Sequence, residues 1–218
     1  MVRVDIWSDI VCPWCYIGRR RFERALAGFE HRDQIEVVHH SFQLDPSHPA
    51  GQTELTVDML SRKYGMSVDE AATMEARMEE TAAGEGLEYH MAGLRIGNTT
   101  DAHRVVHLAK DRGLQDAMVE ALFKAHFTDQ RSVFTHESLV AIAVEVGLPA
   151  DEVRAVLASD AYTADVAEDA ATASRLGANG VPFFVIDMRY GVSGAQPTEL
   201  FTQALTEAWH SADDLTRS

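Results

Sequence analysis

Two cysteines, Cys12 and Cys15, stand three positions apart in the stretch Asp9-Ile-Val-Cys-Pro-Trp-Cys-Tyr-Ile-Gly18, and they are the only cysteines in 218 residues. Thiols at that spacing can ligate a metal, form a fixed cross-link, or open and close as a redox couple. A structural zinc site needs four ligands, commonly two such pairs or one pair with two histidines. Here there is a single pair, followed at a distance by His31, His39, His40 and His48. His39 and His40 sit in an apolar run that reads as a strand, which sends their side chains to opposite faces. A permanent staple is also a poor fit, because closing so short a loop gains only about 2 kcal/mol. The redox couple fits the surroundings better. On that reading a reversible Cys12–Cys15 disulfide is the chemical equipment, and neither a metal nor a bound cofactor is expected.

The surrounding residues say how the pair is held. Val2, Val4 and Ile6 alternate in period two, as a half-buried strand does. The strand ends near Ser8-Asp9, and Pro13 suits the first position of a helix, where its missing N–H is no loss. From Trp14 to Phe29 the apolar residues Ile17, Phe22, Ala25, Leu26 and Phe29 recur at helical spacing, with Arg19, Arg20, Arg21 and Arg24 on the other side. Cys12 therefore falls at the amino-terminal edge of a helix, where unpaired N–H groups and the helix dipole stabilise an anion. A thiolate there has a lowered pKa, so Cys12 is the expected nucleophile. Cys15, one turn further on and less exposed, is expected to resolve the mixed disulfide.

Strand, CxxC, helix is the opening of a thioredoxin-like fold, and that fold requires a later proline in a turn able to hold a cis peptide bond. Gly177-Ala-Asn-Gly-Val-Pro-Phe-Phe-Val-Ile186 supplies it, with Asn179-Gly180 as a turn signal and Phe183 to Ile186 as a β-prone run. In that turn the N–H and C=O of Val181 are left to pair with an extended substrate strand, and Pro182 brings neither an N–H nor a thiol. Asp187-Met-Arg189 reads as a hairpin turn leading to a strand over 190–193. A last helix carries Leu200, Phe201, Ala204, Leu205 and Trp209, and the polar tail from Ser211 to Ser218 is expected to fray.

The residues between the two halves read differently. Ile35 to Phe42 is a second strand, but no convincing strand follows between residue 46 and about residue 177. Instead there are helical blocks, each stopped by glycine and then an apolar residue, as at Gly65-Met66, Gly113-Leu114 and Gly147-Leu148. Ser67-Val-Asp-Glu70 is a capping box. The expected architecture is thus α/β: a thioredoxin-like fold, βαβ…ββα, with a large all-helical domain inserted. Residues 1–45 and 178–218 form the first domain and 46–177 the insertion. Inside the insertion His103 and His107 have metal-ligand spacing without a third ligand. Met59, Met66, Met74, Met78 and Met91 either pack a core or line a groove for apolar peptides.

Composition limits the partners. A net charge of −15, from 19 basic and 34 acidic residues, argues against nucleic acid, since phosphate binding rests on clustered Lys and Arg. No apolar run reaches the roughly 20 residues of a membrane span. The first residues lack the uninterrupted apolar stretch of a secretory leader, so a cytoplasmic location is expected.

The chain resembles the DsbA family of thioredoxin-like oxidoreductases, and within it the cytoplasmic FrnE-like branch. The resemblance rests on Asp9 to Gly18, on Gly97-Asn-Thr-Thr-Asp-Ala-His-Arg104, and on Gly180-Val-Pro-Phe-Phe-Val185. It implies thiol–disulfide oxidase, reductase or isomerase activity on protein or peptide thiols and disulfides, with thioredoxin, glutathione or a similar thiol as reductant. Cys12 and Cys15 would take the redox roles, and Val181-Pro182, with Pro13 and Trp14, the substrate contacts. Asn98, His103 and Arg104 would lie beside the cleft, or else serve as cap and packing residues at a helix start. The best-known periplasmic members carry a histidine where Trp14 stands. Its absence predicts a milder redox potential. Kappa-type glutathione transferases and hydroxychromene-carboxylate isomerases also resemble this architecture, and FrnE-like proteins are linked by name to polyketide biosynthesis. The transferases and isomerases generally have serine where Cys12 stands, and glutathione-dependent small-molecule chemistry is the alternative reading.

Overall fold

The computed structural model describes residues 1–216, with side chains through residue 212. In chain order the elements are β1 (Val2–Ser8), α1 (Pro13–Ala27), β2 (Ile35–Ser41), β3 (Thr53–Leu55), α2 (Thr56–Tyr64), α3 (Val68–Gly84) and β4 (Arg95–Gly97). Then come α4 (Thr100–Asp111), α5 (Gln115–Phe127), α6 (His136–Val146), α7 (Ala150–Leu157), α8 (Thr163–Arg175), β5 (Phe183–Ile186), β6 (Tyr190–Ser193) and α9 (Thr198–Thr216). They fall into two compact units, Met1–Leu44 with Glu168–Ser218, and Asp45–Ala167.

The first unit is a four-stranded sheet in the order β2-β1-β5-β6. β1 runs parallel to β2 and antiparallel to β5, which pairs antiparallel with β6. The period-two alternation decides what each face holds. Val2, Val4, Ile6, Phe184 and Ile186 point to one side and pack with Phe22 and Ala25 of α1 and with Phe201, Leu205 and Ala208 of α9. Trp7, Phe183 and Val185 point to the other side, where Ala173 of α8 covers them. The sheet therefore lies between helices on both faces, and β1 sits in its interior. The three-residue turn between β5 and β6, Asp187 to Arg189, places Asp187 and Met188 at φ of 51° and 54°, in the left-handed region.

The second unit is the helical segment, with α4 packed on α5 and α7, α5 on α6, and α6 on α7. Its core includes Val105, Leu108, Met118, Leu122, Leu139 and Ile142, all buried. The capping box at Ser67 and Glu70 forms with both bonds present, and α6 stops at Gly147, whose φ of 106° suits glycine. Met91 is buried in this core, whereas Met74 is 38% exposed.

Three expectations are corrected. The insertion does contain strands: β3 and β4 form an antiparallel ribbon. Three residues per strand are too few for alternation to show, and Gly97 marks the ribbon only through its tight fit, since a β-carbon there would come 2.9 Å from the Gln52 carbonyl. The second crossing between units falls inside α8 at 167/168, not after it at 177/178, because Trp7 and Asp169 bind the later turns of α8 to the sheet. The tail is helical through Thr216, against the expected fraying from Ser211, and residues 217–218 of that expectation lie outside the described residues.

Candidate active site

Cys12 is the residue immediately before α1, in an extended conformation with φ −91° and ψ 111°, and Pro13 opens the helix. Its main-chain N–H donates to the Asp9 carbonyl at 3.0 Å, and its carbonyl accepts the Cys15 N–H at 3.0 Å. The cysteine motif is thus a turn that winds directly into a helix. The Cys12 side chain makes no bond to the helix N–H groups. Instead its thiol donates to the Val181 carbonyl at 3.6 Å. Both cysteines are free thiols.

The Val181–Pro182 peptide bond is cis. The Pro182 carbonyl accepts the Gly194 N–H at 2.8 Å, which ties this turn to the loop after β6. Gly194 has a φ of 80°, a conformation that favours glycine. Val181 is half-buried and Pro182 buried. The sequence led us to expect a free Val181 carbonyl; with Cys12 as a thiol, that carbonyl accepts the sulfur's hydrogen.

The two sulfurs differ. Cys12 is 4% exposed and Cys15 1%. Burial pushes the Cys15 thiol well above its ordinary value, and the neighbouring Cys12 sulfur pushes in the same direction. Cys15 therefore keeps its proton at neutral pH, while Cys12 stands at the helix start. Between them, Pro13 is half-buried and Trp14 is 41% exposed.

A buried polar cluster fixes the elements behind this site. His40 of β2 pairs through Nδ1 with Asp169 of α8 at 2.7 Å and through Nε2 with Asp5 of β1 at 2.7 Å. Its ring stacks on Trp7 at 4.5 Å, and the Trp7 indole N–H donates to the Asp169 carbonyl at 2.9 Å. The Ser41 N–H donates to the second oxygen of Asp169, and Arg3 pairs with Asp5 at 2.6 Å. Burial lowers the His40 pKa, but the bonds to Asp169 and Asp5 outweigh it and the net shift is upward. Burial likewise opposes ionisation of Asp5, and His40 and Arg3 overcome it, so its carboxyl is lowered. The cluster joins three elements of the first unit and anchors the later turns of α8, the helix that leads to Val181.

Asn98, His103 and Arg104 lie in the helical unit. The Asn98 side chain accepts the Thr100 N–H at 2.9 Å and donates to the His48 carbonyl at 2.8 Å, holding the start of α4. His103 is 2% exposed. The Arg104 guanidinium, also buried, donates to Asp101 at 2.7 Å, to the Ala161 carbonyl at 2.7 Å, and to the carbonyls of Val156 and Ser159. His107 stacks on Tyr162. Among the described residues no group of three or more His, Cys, Asp or Glu is placed to hold a metal, and no helix is long and apolar enough to cross a membrane.

Sequence reasoning missed Asp9, whose carbonyl holds the Cys12 N–H and whose buried carboxylate accepts the Leu44 N–H at 2.8 Å. It also missed Gly18. Both stand inside the cysteine stretch, but their partners Leu44, Pro182 and Ala195 are distant in sequence, so no local signal marked them.

Residues 3–206 match the DSBA-like thioredoxin domain. The chain belongs to the DSBA-like thioredoxin domain family. It is similar to a probable DsbA oxidoreductase from Streptomyces coelicolor, at 53% identity and a TM-score of 0.93, over 96% of this chain and 91% of that one. It also shares its fold with a 2-hydroxychromene-2-carboxylate isomerase, at 14% identity and a TM-score of 0.70 over 98% of both chains. A third likeness is to the cytosolic disulfide reductase DsbM from Pseudomonas aeruginosa, solved with GSH, at 18% identity and a TM-score of 0.62 over 94% of this chain and 98% of that one. The last two identities establish the shared fold alone. This DSBA-like member thus carries a Cys12–Cys15 pair on the thioredoxin-like framework of a thiol–disulfide oxidoreductase family.

Proposed function

We propose that this protein exchanges thiols and disulfides with protein or peptide substrates, with Cys12 as the attacking sulfur and Cys15 as the resolving one. The observation that carries the reading is the asymmetry of the pair: Cys12 at the helix start against the Val181 carbonyl, Cys15 buried with its thiol held protonated. In the reductive direction the Cys12 thiolate attacks one sulfur of a substrate disulfide. The substrate S–S bond breaks, a Cys12–substrate disulfide forms, and the departing thiolate takes a proton. Cys15 then gives up its proton and attacks the Cys12 sulfur, which forms the Cys12–Cys15 disulfide and expels the second substrate thiolate. The substrate gains two electrons and two protons, and the pair loses them. The same steps in reverse oxidise a substrate dithiol.

Once Cys12 has lost its proton, the Val181 carbonyl no longer accepts an S–H and is available to a main-chain N–H of an extended substrate. That pairing would hold the substrate chain beside the reacting sulfur, as strand addition does elsewhere. Trp14, the exposed residue between the cysteines, offers apolar contact. A chain whose two cysteines are both committed to one pair suits a reducing compartment, where disulfides are transient. There a low-molecular-weight thiol of the glutathione kind, the ligand solved with DsbM, would return the pair to its reduced form.

A peptide-disulfide assay tests the reading and separates it from isomerase chemistry on the same fold. Wild type turns over the peptide in the presence of glutathione, Cys12→Ser does not, and Cys15→Ser accumulates a mixed disulfide seen as a mass adduct. A Cys15→Ser protein that traps no peptide, yet isomerises a hydroxychromene carboxylate with glutathione, would establish the alternative.

A further inference from the structure

We infer that Gly18 and Arg21 of α1 are positioning residues that seat the Val181–Pro182 turn at its working distance from Cys12; the inference rests on the exchange reading above. A β-carbon on Gly18 would come 2.9 Å from Cγ of Pro182 and 3.3 Å from both Cα and Cβ of Ala195. The first atom belongs to a closed ring and the second to main chain, so neither can swing aside. The loops themselves would have to retreat. Glycine inside a helix is destabilising relative to alanine, and close approach is a physical reason for its presence here.

One turn further along α1, the Arg21 guanidinium donates to the Ala195 carbonyl at 2.6 Å. Ala195 adjoins Gly194, whose N–H holds the Pro182 carbonyl. Gly18 thus admits the two loops and Arg21 clamps them. Val181 is bonded to Pro182, so any retreat of the proline carries the Val181 carbonyl away from the Cys12 sulfur. Cys12 precedes the same helix and stays with it. The consequence is specific: substrate docking weakens while the cysteines remain where they are.

The test is steady-state exchange with a peptide disulfide, beside circular dichroism to establish folding. Gly18→Ala is expected to raise KM about fivefold or more with kcat within about twofold, the signature of lost binding rather than lost chemistry. Arg21→Met, which keeps the bulk and removes the donor, is expected to act in the same direction, and it decides the matter if Gly18→Ala does not fold. Gly84→Ala is the control, because a β-carbon there meets nothing within 4 Å, and it should leave both constants within about twofold. Active wild type with both folded variants inside that margin overturns the inference alone. Wild type with no exchange activity overturns the exchange reading first, and this inference with it.

Discussion

The thiol of Cys12 donates to the carbonyl oxygen of Val181 across 169 residues of sequence, at 3.6 Å. The sulfur that would attack and the carbonyl that would hold a substrate chain are thus direct neighbours. Each is fixed separately, Cys12 by the turn from Asp9 into α1 and Val181 by the proline that follows it. Chemistry at this site is therefore sensitive to the residues around the sulfur and to those that hold the elements behind it.

Trp14 is the first such residue. A cationic side chain beside Cys12 would stabilise its thiolate, favour the reduced pair and make the couple more oxidising. Trp14→His is expected to raise the reduction potential by about 30 mV or more, a tenfold change in the equilibrium with glutathione. Equilibration in glutathione buffers measures it, and an unchanged potential would remove Trp14 as the determinant.

His40 makes the fold depend on pH. Its pKa is raised in the folded protein, so its contribution is fully present below the ordinary imidazole value of about 6.5 and is lost as pH rises through the folded value. Asp5 has the opposite sign: its lowered carboxyl contributes above about pH 4 and fails as pH falls through the folded value. His40→Ala would leave Asp5 and Asp169 without the imidazolium between them. It is expected to destabilise the protein by about 3 kcal/mol at pH 6. Urea unfolding should show the gap to wild type narrowing as pH rises past neutrality.

How much of this was readable beforehand follows from how local the signals are. β1, the helix after Cys12 and the proline turn could be read because each is marked by residue types with one dominant use. β3 and β4 could not, because three residues carry no period. The Asp5–His40–Asp169 cluster left no trace either, since positions 5, 40 and 169 come together only when the sheet forms and α8 packs on it. Gly18 lay in plain view. Its role appears only when Pro182 and Ala195 are seen beside it.

Glu75 of α3 supplies another pH effect. It is buried, one of its oxygens has no hydrogen-bond partner, and burial, with Glu79 one turn on, pushes its pKa up to about 7. The folded chain keeps a proton that the unfolded chain loses near pH 4 to 5, so stability falls as pH rises from there to about 7 and then levels off. Glu75→Gln keeps the neutral shape. It is expected to flatten that slope and to be more stable than wild type above neutrality by about 1–3 kcal/mol, read by urea unfolding at pH 5 and pH 8.

Arg104 bears on the helical unit. Its guanidinium serves three main-chain carbonyls and Asp101, so truncation removes four hydrogen bonds at once, although the Val156 carbonyl keeps the Ser159 N–H and hydroxyl and Asp101 keeps His136. Arg104→Met is expected to lower stability by about 2–4 kcal/mol, measured as a loss in thermal or urea midpoint. A change under 0.5 kcal/mol would mean that the carbonyls find other partners.

The division of labour between the sulfurs can be tested on the reduced protein by a short pulse of iodoacetamide at pH 7, followed by peptide mapping. Cys12 is expected to be alkylated at least about tenfold faster than Cys15, whose thiol is buried and protonated. Equal labelling of the two, or faster labelling of Cys15, would contradict that division.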